Sequence, residues 1–423
     1  MKSIGKAFLF FFAFILMSTS VMGSYIFIPM DLDQKNHLKA YGIAYFAITK
    51  NVDMSWLLNY RGGSFMCPYS SVVEDECVIR DVSYQVLADL QASIILEEIA
   101  SVNNNMSEIR LTKVPKIAVY SPKNKLPWDD AVTLVLTYAE IPYDIIYDED
   151  VLTGKLPQYD WLHLHHEDFT GQYGKFWMNY RNASWYIEDV KANEAMAAKF
   201  GFTKVSQMKL AVAKGIRNFV AGGGYLFAMC SGPDSFDVAL AAEGTDICDV
   251  MFDGDPMDKD AQSKLNFENT FAFTNFNIVK NPYQYEISDI DVDPSIHMTN
   301  QKNDFFTLFE FSAKWDPVPT MLCQNHQTII PGFMGQTTAF RKSCIKPHVL
   351  IMGETKLFDE ARYVHGEFGK GTWTFYSGHD PEDYQHFVND PPTDLNLFPN
   401  SPGYRLILNN VLFPAAKKEK QKT

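Results

Sequence analysis

The stretch that most constrains this chain is Ala221-Gly222-Gly223-Gly224-Tyr225-Leu226-Phe227-Ala228-Met229-Cys230-Ser231-Gly232, followed by Pro233-Asp234-Ser235-Phe236. Three glycines end a helix, and a short apolar run reads as a buried strand from Tyr225 to Met229. Pro233 suits the first turn of the next helix. Cys230 therefore falls on a sharp strand-to-helix turn with small neighbours. A nucleophile elbow demands this layout, although Ala228 stands where the usual pattern has Gly. The backbone N–H of Ser231 is then placed to help hold an oxyanion, and the helix N-terminus is expected to favour the thiolate. Two plainer roles compete: a buried core cysteine, or a disulfide from Cys230 to Cys248.

The N-terminus is set aside from fold reasoning. Lys2 and Lys6 precede an apolar run of 11 residues, Ala7 to Met17, and then small and polar residues up to Gly23. This reads as a secretory leader, residues 1–23; a membrane span needs about 20 apolar residues. The mature chain is expected to be exported, most simply to a periplasm, with no membrane span. Removing two lysines and no acid takes the net charge from −14 to −16, which argues against nucleic acid as a partner. A small-molecule substrate or ligand is the expected partner, and the oligomeric state is open. Six cysteines in an exported chain invite pairing, and proximity favours Cys67–Cys77 and Cys323–Cys344. Asn105 and Asn182 open weak glycan-acceptor patterns.

Residues 24–110 read as an accessory segment packed on the core. Asn36 to Ile48 has helical spacing, and Ser83 to Ile99 predicts an amphipathic helix with Val86, Leu87, Leu90, Ile94, Leu96 and Ile99 on its apolar face. From Lys116 strands and helices alternate: strands at Lys116–Tyr120, Tyr143–Tyr147 and Trp161–His165, helices at Trp128–Ala139, Ser184–Phe200 and Val205–Val220. The alternation predicts an α/β fold with a flavodoxin-like parallel sheet covered on both faces. Ligands of such sheets sit beyond the carboxyl ends of the strands, where Cys230 and the His163–Asp168 stretch fall. Residues 243–345 interrupt the pattern as an inserted mixed or antiparallel region, with strands expected at Phe305–Phe311 and Thr320–Gln324. Its alternate Asp289, Asp291 and Asp293 read as a solvated acidic loop. The pattern returns with a strand at His348–Met352. A hairpin over Arg362–Tyr376 then delivers Ser377-Gly378-His379-Asp380-Pro381-Glu382-Asp383. A closing helix, Tyr404–Leu412, completes the α/β domain (111–416) before a basic tail, 417–423.

With Cys230 and His379 both present, the chain resembles the class I glutamine amidotransferase-like superfamily, including its trehalose-utilisation-type relatives. The resemblance covers roughly residues 115–242 and 346–416. It implies Cys230 as nucleophile, His379 as base and Glu382 as orienting carboxylate. The spacing is His-x-x-Glu where the glutaminases have His-x-Glu, so Asp380 and Asp383 remain alternatives. An amide hydrolase acting through a thioester is the implied chemistry, without a cofactor. The loop after the third strand departs from the Gly-rich oxyanion loop of those relatives and reads His165-His166-Glu167-Asp168-Phe169-Thr170-Gly171.

That loop admits several roles. His165 or His166 with Glu167 offers an alternative base, and His165, His166, Glu167 and Asp168 offer ligand contacts. His163, His165 and His379 offer a metal set, although no metal is assigned. A non-catalytic, sugar-like binding role would draw on this loop and on Trp177, Tyr180 and Trp185. The chain is also similar to exported Bacteroidetes-type proteins that often carry the label asparagine synthetase B. The Ser-Gly-Pro-Asp-Ser run at 231–235 is one residue shorter than the ATP-binding loop that label implies.

Overall fold

The computed structural model describes residues 24–122, 126–292 and 301–416; the expected leader, the basic tail and Asp293 lie outside these. The first five strands form a sheet of their own. β1 (Tyr25–Ile28), β2 (Met54–Leu58), β3 (Ser64–Pro68), β4 (Gln85–Leu87) and β5 (Ser107–Leu111) pair antiparallel in the order β4-β1-β3-β2-β5. The helix His37–Thr49 is buried along most of its length, in the same apolar core as the closing helix Pro402–Leu412. Arg405 of that closing helix is fully buried and donates to the carbonyls of Met30 and Gly62, at 2.9 and 2.7 Å. The expected helix from Ser83 starts only at Asp89, because residues 85–87 pair with β1 instead. Val86, Leu90 and Ile94 are consequently exposed, while Leu87, Ala92 and Ile99 are buried.

The second sheet holds ten strands and makes this a mixed α/β fold. Its strands are β6 (Ile117–Tyr120), β7 (Asp144–Ile146), β8 (Trp161–Leu164), β9 (Tyr225–Met229), β10 (Phe305–Leu308), β11 (Ile329–Pro331), β12 (Phe340–Arg341), β13 (Leu350–Thr355), β14 (Glu360–Phe368) and β15 (Gly371–Tyr376). The order is β11-β10-β13-β14-β15-β9-β8-β6-β7, with β12 beside β14. Pairing is parallel from β7 to β15 through β6, β8 and β9, and antiparallel beyond.

The sheet is thus mixed, where a flavodoxin-like parallel sheet with a separate mixed or antiparallel insertion is expected. The tight turn at Gly369–Lys370 can join only antiparallel strands, so β14 reverses the direction and β13, expected to resume the parallel run, pairs antiparallel too. The inserted region contributes β10 and β11 to the same sheet. Its expected strand at Thr320–Gln324 is instead part of the helix Pro317–Leu322. Pro317 and Pro319 cannot donate to a strand ladder, whereas their fixed φ suits a first helical turn.

Register places the site. Tyr225 lies level with Trp161 on one side and Thr372 on the other, so β8, β9 and β15 end together. The residues that follow them, His165, Cys230 and Ser377–His379, therefore share one edge. All six cysteines are free thiols, which corrects the two expected disulfides. Cys67 and Cys77 lie in one core, and Cys323 packs against it; Cys344 belongs to a different core.

His365 on β14 is buried, with Nδ1 2.9 Å from Thr374 Oγ1. Burial lowers its pKa to about 4. The unfolded chain protonates this ring near pH 6.5 and so binds more protons between about pH 6.5 and 4; stability falls as pH drops through that window. Between pH 7 and 5 the ring accounts for ~2 kcal/mol of lost stability. In urea unfolding, His365→Gln is expected to shrink the pH 7-to-5 loss by about that amount; an unchanged loss would show that the ring is not held neutral.

Candidate active site

Cys230 is in the left-handed conformation, with φ 53°, which costs a side-chain-bearing residue roughly 1–2 kcal/mol. Hydrogen bonds on both sides hold it there. The Cys230 N–H donates to Gly378 O (3.0 Å), and the Gly232 N–H donates to His165 O (2.8 Å). A Cβ on Gly232 would meet that same His165 oxygen at 2.8 Å, so only glycine permits the approach. Ser235 Oγ adds a bond to Glu167 O at 2.8 Å. The inserted region closes the third side: the Gln336 N–H donates to Cys230 Sγ (3.3 Å), and the His379 N–H donates to Met334 O (2.9 Å).

Buried histidines run away from the thiol in a line. His163 Nδ1 lies 3.2 Å from Phe227 O, His163 Nε2 lies 3.3 Å from His165 Nδ1, and His165 Nε2 lies 2.9 Å from His379 Nδ1. A carbonyl only accepts, so the proton on His163 is at Nδ1. With neutral rings, each next bond then follows: His165 Nδ1 donates to His163, and His379 Nδ1 donates to His165. His379 Nε2 is left as a bare lone pair without a partner among the described residues. Asp130 closes the far end, 3.3 Å from His163 Nε2 and 3.6 Å from His165 Nδ1. A proton entering at His379 Nε2 can pass inward by reversing each hydrogen bond in turn, toward the end that Asp130 closes.

Burial sets the protonation states. It holds His165 and His379 well below the ordinary histidine range, lowers His166 to about 4 and raises Glu167 to about 8. Burial also disfavours charge on Asp130, but His163 and His165 outweigh it and hold this carboxyl well below its usual value. Cys230 is pushed up to about 11 by burial, although the N–H groups of Gln336, Ser231 and Thr337 pull the other way. The expected thiolate at a helix N-terminus is therefore a thiol at rest. Desolvation of the sulfur outweighs three backbone donors.

Of the residues singled out from sequence, Cys230, His165 and His379 come together, with one ligand-type atom of each within 4.8 Å of the others. His166 is adjacent, its ring centroid 5.0 Å from that of His165. Glu382 turns away and takes a hydrogen bond from Ser401. Asp380 accepts the backbone N–H groups of Glu382 and Asp383, and Asp383 pairs with His386. None of these three carboxylates orients His379; His165 does. Asp168 accepts from Thr170 and from the Gly174 N–H, closing its own loop. Ser231 and Asp234 are buried, Asp234 accepting from Ser288. Asp291 is buried and accepts the N–H groups of Thr338 and Ala339, so the acidic loop is not solvated there.

Sequence reasoning missed Asp129, Asp130, Gln336 and His386. Asp130 had one local signal, as an N-cap that accepts from Val132 and Thr133. A pocket beside the histidines is lined by Trp128, His166, Glu167, Phe176 and Trp185. Trp128 stacks on Phe176, and Trp128 Nε1, His166 Nδ1 and Glu167 Oε1 make no hydrogen bond among the described residues, although Glu167 Oε1 lies 3.9 Å from His166 Nε2. Trp185 is in this wall. Tyr180 packs behind it, and Trp177 faces Tyr283 and Arg181.

No family model and no curated protein matches the chain. Among solved structures, the cytoplasmic protein STM3548 of Salmonella typhimurium is similar at 11% identity and TM-score 0.37, over 72% of this chain and 100% of its own. The cytoplasmic protein STM1381 of S. typhimurium LT2 gives 14%, TM-score 0.35, and 71% and 100%. Gan42B, a GH42 beta-galactosidase of G. stearothermophilus, gives 11%, TM-score 0.26, and 63% and 28%. Likenesses this weak leave the chemistry to the chain's own residues. Among the described residues no helix is long and apolar enough to cross a membrane.

Asp130 does two jobs that substitution separates. Asp130→Ala is expected to destabilise the protein by at least ~1 kcal/mol through the lost cap, whereas Asp130→Asn keeps a capping oxygen and costs less. Equal losses in urea unfolding would show that the cap is not what Asp130 contributes.

Proposed function

We propose that the chain is an exported Cys-dependent hydrolase of an amide, built on the parallel half of the large sheet. Taken in chain order, the five parallel strands lie 2-1-3-4-5, the flavodoxin-like order. That order and the elbow support the glutamine amidotransferase-like resemblance. One observation carries the reading: Cys230, strained at φ 53°, has a backbone donor at its sulfur and the His379–His165 pair beside it.

In the first step the thiol proton passes to the histidine line at His379, and Sγ attacks the carbonyl carbon. The N–H groups around the sulfur stabilise the developing negative charge. The C–N bond then breaks, the amine leaves with the proton, and a thioester remains. Water, deprotonated by the same line, adds to the thioester and releases the acid and the thiol. Asp130 supplies what the expected Glu382 does not, a fixed negative charge at the far end of the line. The aromatic pocket beside His166 is the natural seat for the substrate's side chain, and it is also what a purely ligand-binding role would use.

The test is iodoacetamide labelling of the mature chain (24–423), read by peptide mass spectrometry, beside ammonia release from a panel of primary amides. Native protein is expected to label at Cys230, at least about 10-fold more slowly in His379→Gln and His165→Gln, with turnover lost in Cys230→Ser. Cys230 labelled only after denaturation, together with no amide turnover, would sink the hydrolase reading.

A further inference from the structure

The pocket beside the histidines lies where this strand order places a ligand. The parallel strands run β7-β6-β8-β9-β15, so the connections from β6 and β8 diverge and open a crevice beyond their carboxyl ends. Pro122 follows β6 there, Glu167 and Asp168 follow β8, and all three line the pocket. Its apolar wall is a cluster of three rings. Trp128 and Phe176 stack with centroids 5.2 Å apart, and Trp185 stands edge-on to both, at 5.2 and 5.6 Å.

The polar lining is acidic and short of donors. Glu167, Asp168 and Asp189 line the pocket with one lysine, Lys209. That lysine is committed elsewhere: Nζ lies 2.8 Å from Asp148 Oδ2 and donates to the hydroxyls of Tyr120 and Tyr147. Asp168 is satisfied within its own loop by Thr170 and Gly174. Glu167 accepts the His165 N–H at Oε2 (3.2 Å), while Oε1 makes no hydrogen bond and has His166 Nε2 at 3.9 Å. Burial lowers His166 to about 4, so at neutral pH that ring gives Glu167 no counter-charge. Asn193 Nδ2 donates to Asp189 O (2.9 Å) and Oδ1 (3.0 Å), which fixes the amide; its Oδ1 has no partner among the described residues. Glu167 and Asn193 are each only 5% exposed. A buried acceptor without a donor costs stability, and so does a buried carboxylate without a cation. Burial accordingly raises the carboxyls of Glu167 and Asp189 above the usual range.

We propose that this pocket binds a small organic cation, a primary ammonium group on an apolar stem. Such a ligand supplies the donors that Glu167 Oε1 and Asn193 Oδ1 lack and the positive charge that Glu167 and Asp189 lack. The faces of Trp128, Phe176 and Trp185 attract a cation and cover its stem. A phosphate or carboxylate would instead meet three carboxylates beside a lysine that Asp148 already holds. A sugar would use the same rings and acceptors but brings no charge. As a binding site the pocket stands apart from the thiol, which does not line it. As the seat of the substrate's side chain it rests on the hydrolase reading, and it then selects amides that carry an ammonium group over those that carry a carboxylate.

The probe is n-butylammonium, compared with n-butanol, butyrate and D-glucose at constant ionic strength. Each is titrated by calorimetry into the Cys230→Ser chain, where turnover cannot obscure binding. Saturable binding of one n-butylammonium per chain is expected, at least about 10-fold tighter than n-butanol, with no uptake of butyrate. Glu167→Gln keeps an acceptor for the His165 N–H and removes only the charge; it is expected to weaken the cation at least about 10-fold. Trp185→Leu is expected to weaken it about 3–10-fold. Circular dichroism and Tm identify variants that remain folded, and Asp189→Asn replaces Glu167→Gln if that chain does not fold. The proposal is overturned if n-butylammonium does not saturate, or if n-butanol, butyrate or D-glucose binds as tightly. An affinity unchanged in the folded carboxylate variant or in folded Trp185→Leu overturns it too. Cation binding by a protein whose Cys230 labels only after denaturation keeps this site and removes the hydrolase reading alone.

Discussion

The site depends on one exchange of backbone hydrogen bonds. Cys230 is held between Gly378 O, which accepts its N–H, and His165 O, which accepts the N–H of Gly232 two residues later. These bonds tie the turn after β9 to the turns after β15 and β8. They also hold a non-glycine residue at positive φ, a conformation the chain would leave if either neighbour moved. Parallel register makes the exchange possible, because three strands that begin level also end level. The inserted region then seals the sulfur from above through Gln336.

Sealing has an electrostatic consequence. A thiol removed from water favours its neutral form, and so do imidazoles. Burial thus sets the resting state, with Cys230 protonated and His165 and His379 uncharged. Chemistry at such a site needs a path that keeps charge from being stranded in low dielectric. The line from His379 through His165 to His163 provides one, since its far end meets the buried carboxylate of Asp130. The pairing of His163 Nδ1 with a strand carbonyl gives the line its direction.

The elbow was legible because its logic is local. Glycines that stop a helix, a five-residue apolar strand, a small residue after the cysteine and a proline opening the next helix all act within a few residues. The strands and helices from Ile117 to Met229 were legible for the same reason, through their periodicity. The orientation of β13 was not, because strand direction is set by what a strand pairs with. The strand at Gln85–Leu87 was hidden too, since its apolar spacing runs on into the helix that follows it. Glu382 illustrates a different limit. Three residues from His379, it fits the resemblance by spacing, but the turn points it at Ser401.

His163 and His165 announced themselves as a pair on one strand face, whereas Asp129 and Asp130 looked like an ordinary helix start and His386 like loop polarity. Sequence alone determined the strand–turn–helix that presents Cys230, since those choices rest on backbone freedom and helix-end chemistry within a dozen residues. Tertiary structure alone decided which groups face that cysteine, which lone pairs are left bare and whether the sulfur carries a charge. Those depend on burial and on contacts between residues far apart in the chain, such as His165 and His379, 214 positions from one another, and no local pattern encodes either.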